Sequence, residues 1–285
     1  MQKQDLPTLG VVAISYNEET DLPAFLKHLL PWVDEIVIVD DGSTDRTGEI
    51  AAAAGDTVRF LRSPRGPGEY YADQRNKGIA AAASDWLLHM DIDERVPPDL
   101  AGEIRLAVGR PDFDAYRFRR VNYFLHRPMR GGGLADWDQV HLARRGCLEF
   151  SGMYHEAVHI SAPEVRIGRL SAHMLHLNDE TYRERLRKSA DYQFEIAARI
   201  KEDGKPVRYA NIFLSFLTEF LYKFIWKRGF LDGTPGLIWA FHSAAAAVRA
   251  RALVWDEQNR IPRAELEEKL WREWQRGPAG TDDRE

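Results

Sequence analysis

The chain has 285 residues, of which 44% are hydrophobic and 29% charged, and its formal net charge is −5. This length and apolar content allow one large domain with an appendage, and the negative charge excludes the basic footprint of a nucleic-acid-binding protein. Cys147 is the only cysteine, so no internal disulfide can form. Residues 1–7 lack the apolar stretch of a signal peptide, which predicts a cytoplasmic location.

The first hundred residues alternate between short apolar runs and segments with helical apolar spacing. Short apolar runs that end at turn residues predict buried strands, and spacings of three or four residues predict amphipathic helices. This alternation predicts the α/β class, with a parallel sheet covered by helices on both faces. The predicted strands are residues 9–14, 35–39, 57–61 and 86–90, and the predicted helices are residues 21–30, 44–54, 70–83 and 99–108.

The pattern is less regular after Pro97 and Pro98. Interleaved aromatic and basic residues predict a strand, two shorter strands flank Gly146, and three consecutive glycines predict a flexible loop. A charged amphipathic helix, two apolar segments and a disordered polar tail complete the chain. The long strand is residues 115–124, the two shorter strands are residues 140–145 and 147–150, and the flexible loop is residues 131–133. The charged helix is residues 181–200, the two apolar segments are residues 209–226 and 237–248, and the tail is residues 277–285.

Two acidic clusters each follow a predicted strand. Asp40 and Asp41 end one apolar run, and Asp91 and Asp93 end another. In open α/β sheets, ligands bind outside the carboxyl ends of the strands. An edge that offers both clusters predicts a site for a nucleotide diphosphate with Mg²⁺ or Mn²⁺, because these ions prefer carboxylate and phosphate oxygens. The alternative is that the second cluster only caps the next helix.

Four motifs, in this order, resemble those of the family 2 glycosyltransferases, which have the GT-A fold, a Rossmann-like nucleotide-binding sheet with an acceptor-side half. The motifs are SYNEE at 15–19, VDDGSTD at 39–45, QRN at 74–76 and DIDE at 91–94. The later YHEAV at 154–158 and GFLDG at 229–233 resemble the subgroup that contains bacterial lipopolysaccharide core glycosyltransferases. The resemblance covers about residues 8–200. It implies transfer of a sugar, with inversion, from a nucleotide-diphosphate sugar such as a UDP-sugar.

The resemblance implies roles for the acidic residues. Asp93 is implied to be the direct ligand of a divalent cation, and Asp91 to contact the ribose or the cation. A cation that bridges the phosphates neutralises the leaving group as a Lewis acid. Asp41 resembles the family's base-binding aspartate, which accepts a hydrogen bond from the imide N–H of uracil. Asp40 is expected to shape the turn.

Further donor-site residues are implied outside the two clusters. Tyr16, Asn17 and Glu18 follow the first strand, where they are expected to contact the base or the ribose; simple packing is the alternative for Tyr16. Arg75 lies on a predicted helix, and its guanidinium fork suits a phosphate. The alternative for Arg75 is an exposed helix arginine.

An inverting transfer needs one general base and no covalent nucleophile. Glu156 is the first candidate, because it follows a β-like segment and a glycine and matches the family pattern. His155 is expected to orient this carboxylate or to contact a phosphate. Asp136 and Asp138, which follow the three glycines, are the reserve candidates.

Two further histidines are notable but are not assigned to the site. His176 is similar to a histidine of the family, with a packed structural role as the alternative. His141 stands where related sequences have an arginine that can assist the phosphates, and this difference puts the donor geometry of that region in doubt.

The two apolar segments raise the question of membrane association. Residues 209–226 number 18, about the minimum for a spanning helix, but Glu219 and Lys223 are costly in the middle of a bilayer. Interfacial aromatic residues and flanking cations favour a helical hairpin on the anionic cytoplasmic leaflet. The flanking cations are Lys227, Arg228, Arg249 and Arg251. The alternatives are a dimer interface, a cover for the sheet, or a spanning helix.

The domain organisation follows from these segments. Residues 1–205 are predicted to form the GT-A domain, with the donor half at about 8–110 and the acceptor half at about 111–205. A helical region at 206–276 and the tail at 277–285 follow.

The expected partners are a nucleotide-sugar donor, a lipid-linked glycan acceptor such as lipopolysaccharide core, and an anionic membrane surface. Nucleic acid is excluded, and a homo-oligomer stays open. The expected location is peripheral, on the inner face of the cytoplasmic membrane.

Two other functions compete with a glycosyltransferase. A nucleotidyltransferase shares the nucleotide-binding half, but it normally has a glycine-rich, basic first loop, whereas residues 15–19 are acidic and lack glycine. A non-catalytic membrane scaffold would not need the intact acidic clusters.

Overall fold

The computed structural model describes residues 7–110, 112–152, 157–161 and 164–275. The strands are β1 (Leu9–Ser15), β2 (Glu35–Asp40), β3 (Val58–Arg62), β4 (Trp86–Asp91), β5 (Glu94–Arg95), β6 (Ala115–Phe124), β7 (Arg127–Pro128), β8 (Asp138–Arg144), β9 (Leu148–Ser151), β10 (Ala157–Ile160) and β11 (Ile167–Asp179). The helices are α1 (Leu22–Leu29), α2 (Thr47–Ala52), α3 (Tyr71–Ala81), α4 (Pro98–Val108), α5 (Tyr182–Glu202), α6 (Tyr209–Leu221), α7 (Gly233–Asn259) and α8 (Arg263–Gln275).

Within these residues, nine strands form one mixed sheet, and β9 and β10 form a separate antiparallel hairpin. The main sheet has the order β3-β2-β1-β4-β8-β6-β11-β5, with β7 paired to β6. The first four strands are parallel to one another, as the strand–helix alternation predicts. The strands from β8 onward pair in mixed directions, which matches the change of pattern after residue 97.

Helices cover both faces of the parallel half. On one face, α1 buries Phe25 and Leu29 against β1, β2 and β4. On the other face, α3 lies very close to the sheet, because a Cβ at Gly78 would stand 2.5 Å from the side chain of Val12. Contacts this close let a helix pack tightly on its sheet, so the prediction of a two-sided α/β sandwich is confirmed.

The strand β11 was not predicted from the sequence. Only part of it faces the core, with Ala172 and Met174 buried, so its apolar pattern is weak. It pairs in parallel with β6 and antiparallel with β5, where His176 stands opposite Glu94. Long-range pairing therefore brings a late histidine next to the second acidic cluster.

The helices α5, α6 and α7 form one packed unit, here called the C-terminal helical unit. A π-helical turn at Tyr222–Trp226 and a 3₁₀ turn at Gly229–Asp232 connect α6 to α7. Phe220 fills the α6–α7 interface, with its ring centroid 4.8 Å from that of Phe241. α5 packs on α7 through Ala197 and Ala250, which are buried together. Both predicted apolar segments are helical.

One helical stretch in the described part of the chain, Gly229–Asn259, has the length and composition that a membrane-crossing helix needs, with 31 residues. Several of its residues are nevertheless buried inside the protein, among them Ala240 and His242. Length and composition alone do not distinguish a spanning helix from a packed one.

The prediction of a flexible loop at the three glycines is wrong. Residues 130–136, here called the glycine loop, pack against the C-terminal helical unit. A Cβ at Gly131 would stand 2.2 Å from the Arg228 carbonyl oxygen, and a Cβ at Gly132 would stand 2.7 Å from the Trp239 ring. The glycines are present because two segments approach closely here, and this approach fixes the loop.

Two histidines lie in the core of the sheet. His89 on β4 and His141 on β8 are buried, and their ring centroids are 4.8 Å apart. The His141 ring also stacks on Phe118, at 4.9 Å. Burial lowers the pKa of His89 to about 4 and lowers the pKa of His141 well below its ordinary value. Both imidazoles are therefore neutral core side chains at pH 7.

These two histidines predict a loss of stability in acid. Histidines in the unfolded chain have a pKa of about 6.5, so the unfolded state takes up protons that the folded state does not as the pH falls from 6.5 toward 4. His89 alone should lower the free energy of unfolding by on the order of 3 kcal/mol at pH 4 relative to pH 7. Urea unfolding at a series of pH values measures this loss.

His141→Phe is the matched control for this prediction. It keeps an aromatic ring beside Phe118 and removes a titrating group whose Nδ1 is buried without a partner. The variant should lose less stability than the wild type over the same pH range. Identical losses would show that buried histidines do not set the acid limit.

Candidate active site

Four strand ends meet at one edge of the sheet. In the parallel register, Ser15 stands opposite Asp40, Ile14 opposite Asp91, and Asp40 opposite Arg62. The loops that follow β1, β2, β3 and β4 therefore converge. This is the edge at which the two acidic clusters were expected to lie.

Asp40 shapes the turn after β2, as expected. Its buried carboxylate accepts hydrogen bonds from the Ser15 hydroxyl at 3.0 Å and from the backbone N–H groups of Gly42 and Ser43 at 3.1 and 2.9 Å. Gly42 has a φ of +89°, which a side chain would disfavour. Asp40 is thus committed to the backbone.

The first loop is tied to the second by Asn17. The Asn17 N–H donates to the Ser43 hydroxyl at 2.8 Å, and Asn17 Oδ1 accepts from the Thr44 N–H at 2.9 Å. Asn17 therefore positions the loop with its own polar atoms. Its neighbour Tyr16 is 58% exposed at this edge, where an aromatic ring is open to a planar ligand.

Asp41 is engaged by the loop that follows β3. Its two carboxylate oxygens accept hydrogen bonds from the Arg65 backbone N–H and from Arg65 Nε, both at 2.7 Å. The Arg65 guanidinium also lies over the Tyr71 ring, 4.1 Å from its centroid. A nucleotide base that hydrogen-bonds Asp41 must therefore share or replace the contact with Arg65.

Asp91 is paired with Arg75. Arg75 Nη2 lies 2.6 Å from Asp91 Oδ1. Burial alone would raise the pKa of Asp91, but the Arg75 guanidinium outweighs it and holds the pKa below its ordinary value. The next residue, Asn76, binds the backbone of Phe150 through both ends of its amide, at 2.8 and 2.9 Å. The β9–β10 hairpin is thereby attached beside Arg75 and Asp91.

Asp93 faces His176. His176 Nε2 lies 3.1 Å from Asp93 Oδ2, and His176 Nδ1 lies 2.7 Å from Asn122 Oδ1. An amide oxygen accepts hydrogen bonds, so Nδ1 carries a hydrogen and Nε2 faces the carboxylate. Nε2 is thus the ring nitrogen on the Asp93 side, and both this nitrogen and the carboxylate oxygen can coordinate a cation.

Further acidic groups surround this pair. Burial, with the negative charges of Asp93 and Asp21, raises the pKa of Glu18 to about 7. Asp21 also has a raised pKa, chiefly because of burial. Carboxylates that raise one another's pKa in this way indicate a region in which a bound cation would be stabilised.

The described residues provide only part of a metal site. Among them, no three His, Cys, Asp or Glu side chains converge closely enough to hold a metal ion. Mg²⁺ and Mn²⁺ are often held by one or two protein ligands together with substrate phosphates. Asp93 and His176 fit that arrangement.

A series of polar contacts through Glu94 and Arg120 supports the loop that carries Asp91 and Asp93. Glu94 Oε2 accepts a hydrogen bond from the Asp91 N–H at 2.9 Å, and Glu94 Oε1 pairs with Arg120 at 2.8 Å. The Arg120 guanidinium lies over the ring of Trp137, 4.6 Å from its centroid. Trp137 is 40% exposed, so an aromatic surface stands next to the site.

The candidate bases differ in how they are held. Asp138 pairs with Arg117 at 2.9 Å and with Arg169 at 2.7 Å. Asp136 is 60% exposed at its side chain and pairs with Lys227 at 2.7 Å. Glu156 and His155 lie outside the described residues.

Several residues of this edge were not identified from the sequence as site residues. Arg65, Asn76, Asn122 and Arg120 act through side-chain contacts with residues distant in the chain. Asn76 stood inside a recognised motif, which was the available signal. For the others, ordinary polar residues on a strand or in a loop give no local signal.

The curled mixed sheet with helices on both faces has the architecture of the GT-A fold. Residues 10–146 match the family described as Glycosyl transferase family 2. This segment, just under half of the chain, is a glycosyltransferase domain of that family.

Relatives extend the similarity beyond this segment. The chain is 27% identical over 260 residues to the lipopolysaccharide core biosynthesis glycosyltransferase LpsC of Rhizobium meliloti, covering 86% of this chain and 93% of LpsC. It is 33% identical over 107 residues to undecaprenyl-phosphate 4-deoxy-4-formamido-L-arabinose transferase of Pectobacterium carotovorum, covering 33% of this chain and 32% of that protein. Glucosyl-3-phosphoglycerate synthase of Mycobacterium tuberculosis, solved with Mn²⁺, UDP and glucosyl-3-phosphoglycerate, aligns with a TM-score of 0.43 and 19% identity over 70% of this chain and 81% of that chain.

Proposed function

We propose that this glycosyltransferase transfers a sugar, with inversion, from a UDP-sugar to a hydroxyl group of a lipid-linked glycan of the lipopolysaccharide-core type, and that it needs a divalent cation. The observation that carries the proposal is the Asp93–His176 pair at the strand edge where Asp41 and Asp91 also lie. The similarity to LpsC over most of both chains supports the acceptor class.

The cation is assigned to Asp93 and His176. When bound, it would neutralise the charge on the leaving diphosphate as a Lewis acid. Arg75 holds Asp91 at 2.6 Å, so Asp91 has one partner already and is better placed to contact the ribose than to ligate the cation. If the Asp91 contact opens, Arg75 has the planar fork to bind a phosphate.

Recognition of the nucleotide base is assigned to Asp41. The imide edge of uracil presents one N–H between two carbonyl groups, and a carboxylate accepts from that N–H. Arg65 is held at the same carboxylate and can donate to a neighbouring carbonyl of the base. Cytosine and adenine present a lone pair where uracil presents the N–H, so the carboxylate would repel them.

The general base is assigned to Glu156, with His155 as its orienting partner. Ser151 and Ala157 are paired across the β9–β10 hairpin, so the connection that contains Glu156 starts and ends at one place. Asn76 holds this hairpin next to Arg75. The ion pairs of Asp136 and Asp138 occupy those two carboxylates, which favours Glu156 over both.

The exposed apolar face of α6 is assigned to contact with the cytoplasmic membrane surface, where the acceptor would be bound. One face of α6 and the following π-helical turn is apolar and exposed, with Phe213 at 62% and Trp226 at 78% exposed. An apolar helix face with aromatic residues suits the headgroup region of a bilayer. The described part of the chain leaves this face uncovered, so the enzyme would lie peripherally on the inner leaflet, beside a lipid-linked acceptor.

The charges contribute less to this contact than the sequence predicted. Lys227 pairs with Asp136 at 2.7 Å, and Arg249 donates to Gln193 on α5 at 2.9 Å. Arg251 donates to the Ala247 carbonyl on its own helix, at 3.1 Å. The ion pair neutralises the charge of Lys227, whereas Arg249 and Arg251 keep theirs, so the proposed attachment combines the apolar face with a smaller electrostatic part.

Measurements of donor binding test two assignments, the cation to Asp93 and the nucleotide base to Asp41. UDP with Mn²⁺ should raise the melting temperature of the wild type, because a ligand of the folded state stabilises it. Asp93→Ala should abolish the Mn²⁺-dependent part of this rise. Asp41→Ala should weaken UDP affinity by about 1–3 kcal/mol, the range for a charged hydrogen bond. Asp56→Ala, at an exposed turn outside the site, is the control. Full activity in excess EDTA would refute the cation.

Transfer kinetics test the general base. Glu156→Gln keeps the size of the side chain and removes its basicity, so kcat should fall by roughly a hundredfold or more while UDP affinity survives. The same assay, with a lipopolysaccharide core acceptor, is applied to Asp136→Asn and Asp138→Asn. A near-normal rate for Glu156→Gln, together with an inactive aspartate variant, would assign the general base to Asp136 or Asp138.

Vesicle co-sedimentation tests the membrane contact. Replacing Phe213, Leu217 and Trp226 with Ser should release the protein from vesicles of phosphatidylglycerol and phosphatidylethanolamine. Because the contact is mainly apolar, added salt should weaken wild-type binding only modestly. Phe194→Ser, at a 64% exposed position on α5, is the matched control.

Unchanged sedimentation of the folded triple variant would refute the membrane contact. A simultaneous change from dimer to monomer in solution would assign the same face to a second copy of the chain. Phe220 is left intact, because it packs between α6 and α7.

A further inference from the structure

The glycine loop is held at its start by a residue of the C-terminal region. The Asp232 carboxylate accepts hydrogen bonds from the backbone N–H groups of Arg130 and Gly131, both at 2.8 Å. A carboxylate that binds two consecutive N–H groups fixes the direction of the peptide planes between them. The start of the loop is thus oriented by a side chain that follows it by 101 residues.

The middle of the loop is held by the same region. The Gly132 N–H donates to the Lys227 carbonyl at 2.8 Å, and the Trp239 indole N–H donates to the Gly132 carbonyl at 3.0 Å. Asp136, at the end of the loop, pairs with Lys227 at 2.7 Å. These contacts make the loop and the C-terminal helical unit one rigid structure.

A chain of hydrogen bonds runs from the loop to the donor site. Asn122 Nδ2 donates to the Leu134 carbonyl of the glycine loop. Because a carbonyl only accepts, this contact determines which end of the amide faces each neighbour. Asn122 Oδ1 therefore faces His176 Nδ1, at 2.7 Å, and His176 Nε2 faces Asp93 at 3.1 Å.

We infer that Asp232 is a positioning residue for the donor site. By fixing the glycine loop it fixes the Asn122 amide, and the amide keeps the hydrogen of His176 on Nδ1, so that Nε2 points at Asp93. The inference rests on the proposed function in taking Asp93 and His176 as the ligands of the cation. It adds that the C-terminal region prepares one of these ligands.

The loss of Asp232 has a defined consequence. Two backbone N–H groups lose their acceptor, and the loop is then held by its remaining contacts with Lys227 and Trp239. The Leu134 carbonyl is therefore held less firmly against Nδ2 of Asn122. The amide is then freer to rotate, and the His176 hydrogen is less strictly confined to Nδ1. Outer residues that orient a metal-binding histidine in this way typically change metal affinity by about 10–100-fold.

The experiment compares the full-length wild type with Asp232→Ala in two measurements that need no turnover. Mn²⁺ binding, followed by electron paramagnetic resonance in the presence of UDP, should weaken at least about tenfold in the variant. The ¹⁵N chemical shifts of His176, recorded without metal, should lose the signature of a ring protonated at Nδ1. Asp256→Ala, which changes an exposed aspartate of α7 that pairs with Arg260, should leave both measurements unchanged.

Unchanged Mn²⁺ affinity and unchanged His176 shifts in a folded Asp232→Ala protein would overturn the inference. If this variant does not fold, Asn122→Ala interrupts the same series of hydrogen bonds between the glycine loop and His176. It is expected to change both measurements. Unchanged measurements in Asn122→Ala would overturn the inference equally. If the wild type binds no Mn²⁺, the cation of the proposed function fails. The ¹⁵N shifts then decide the positioning role by themselves.

Discussion

The site depends on a charge constraint: several carboxylates are brought to one sheet edge, and most of them are held there by a hydrogen-bonding partner from elsewhere in the chain. Parallel strands force this convergence, because their carboxyl ends share an edge. Arg65 holds Asp41, Arg75 holds Asp91, and His176 faces Asp93. The carboxylates repel one another, and at Glu18 burial together with this repulsion raises the pKa to about 7.

This compensation explains how a polyanionic ligand can bind to an acidic edge. A nucleotide diphosphate brings its own negative charge, so it has to arrive with a cation or exchange partners with the existing ion pairs. Both routes are available, since Asp93 and His176 present facing donor atoms and the Asp91 contact leaves Arg75 close to the same place. The ion pairs therefore keep the carboxylates in place, and they would supply groups that bind the proposed donor.

The C-terminal helices belong to the same mechanical unit as the sheet. Asp232 and Trp239 form hydrogen bonds with the glycine loop, and Asn122 connects that loop to His176. The exposed apolar face of α6 lies on the same helical unit. The proposed reaction at a membrane surface would need a fixed relation between the surface contact and the reacting groups, and this packing would provide one.

The sequence by itself determined the alternating strands and helices of the first hundred residues and the placement of the acidic clusters at strand ends. These features depend on local apolar periodicity, which is visible in the chain. Tertiary structure alone decided the partners of the carboxylates: Arg65 lies 24 residues from Asp41, and His176 lies 83 residues from Asp93. It also set the conformation of the glycine loop, because Gly131 and Gly132 allow a close approach to Arg228 and Trp239 that no local pattern records. Pairing between β11, β6 and β5 depends on burial and register over the whole sheet, so the position of His176 could be known only after the chain had folded.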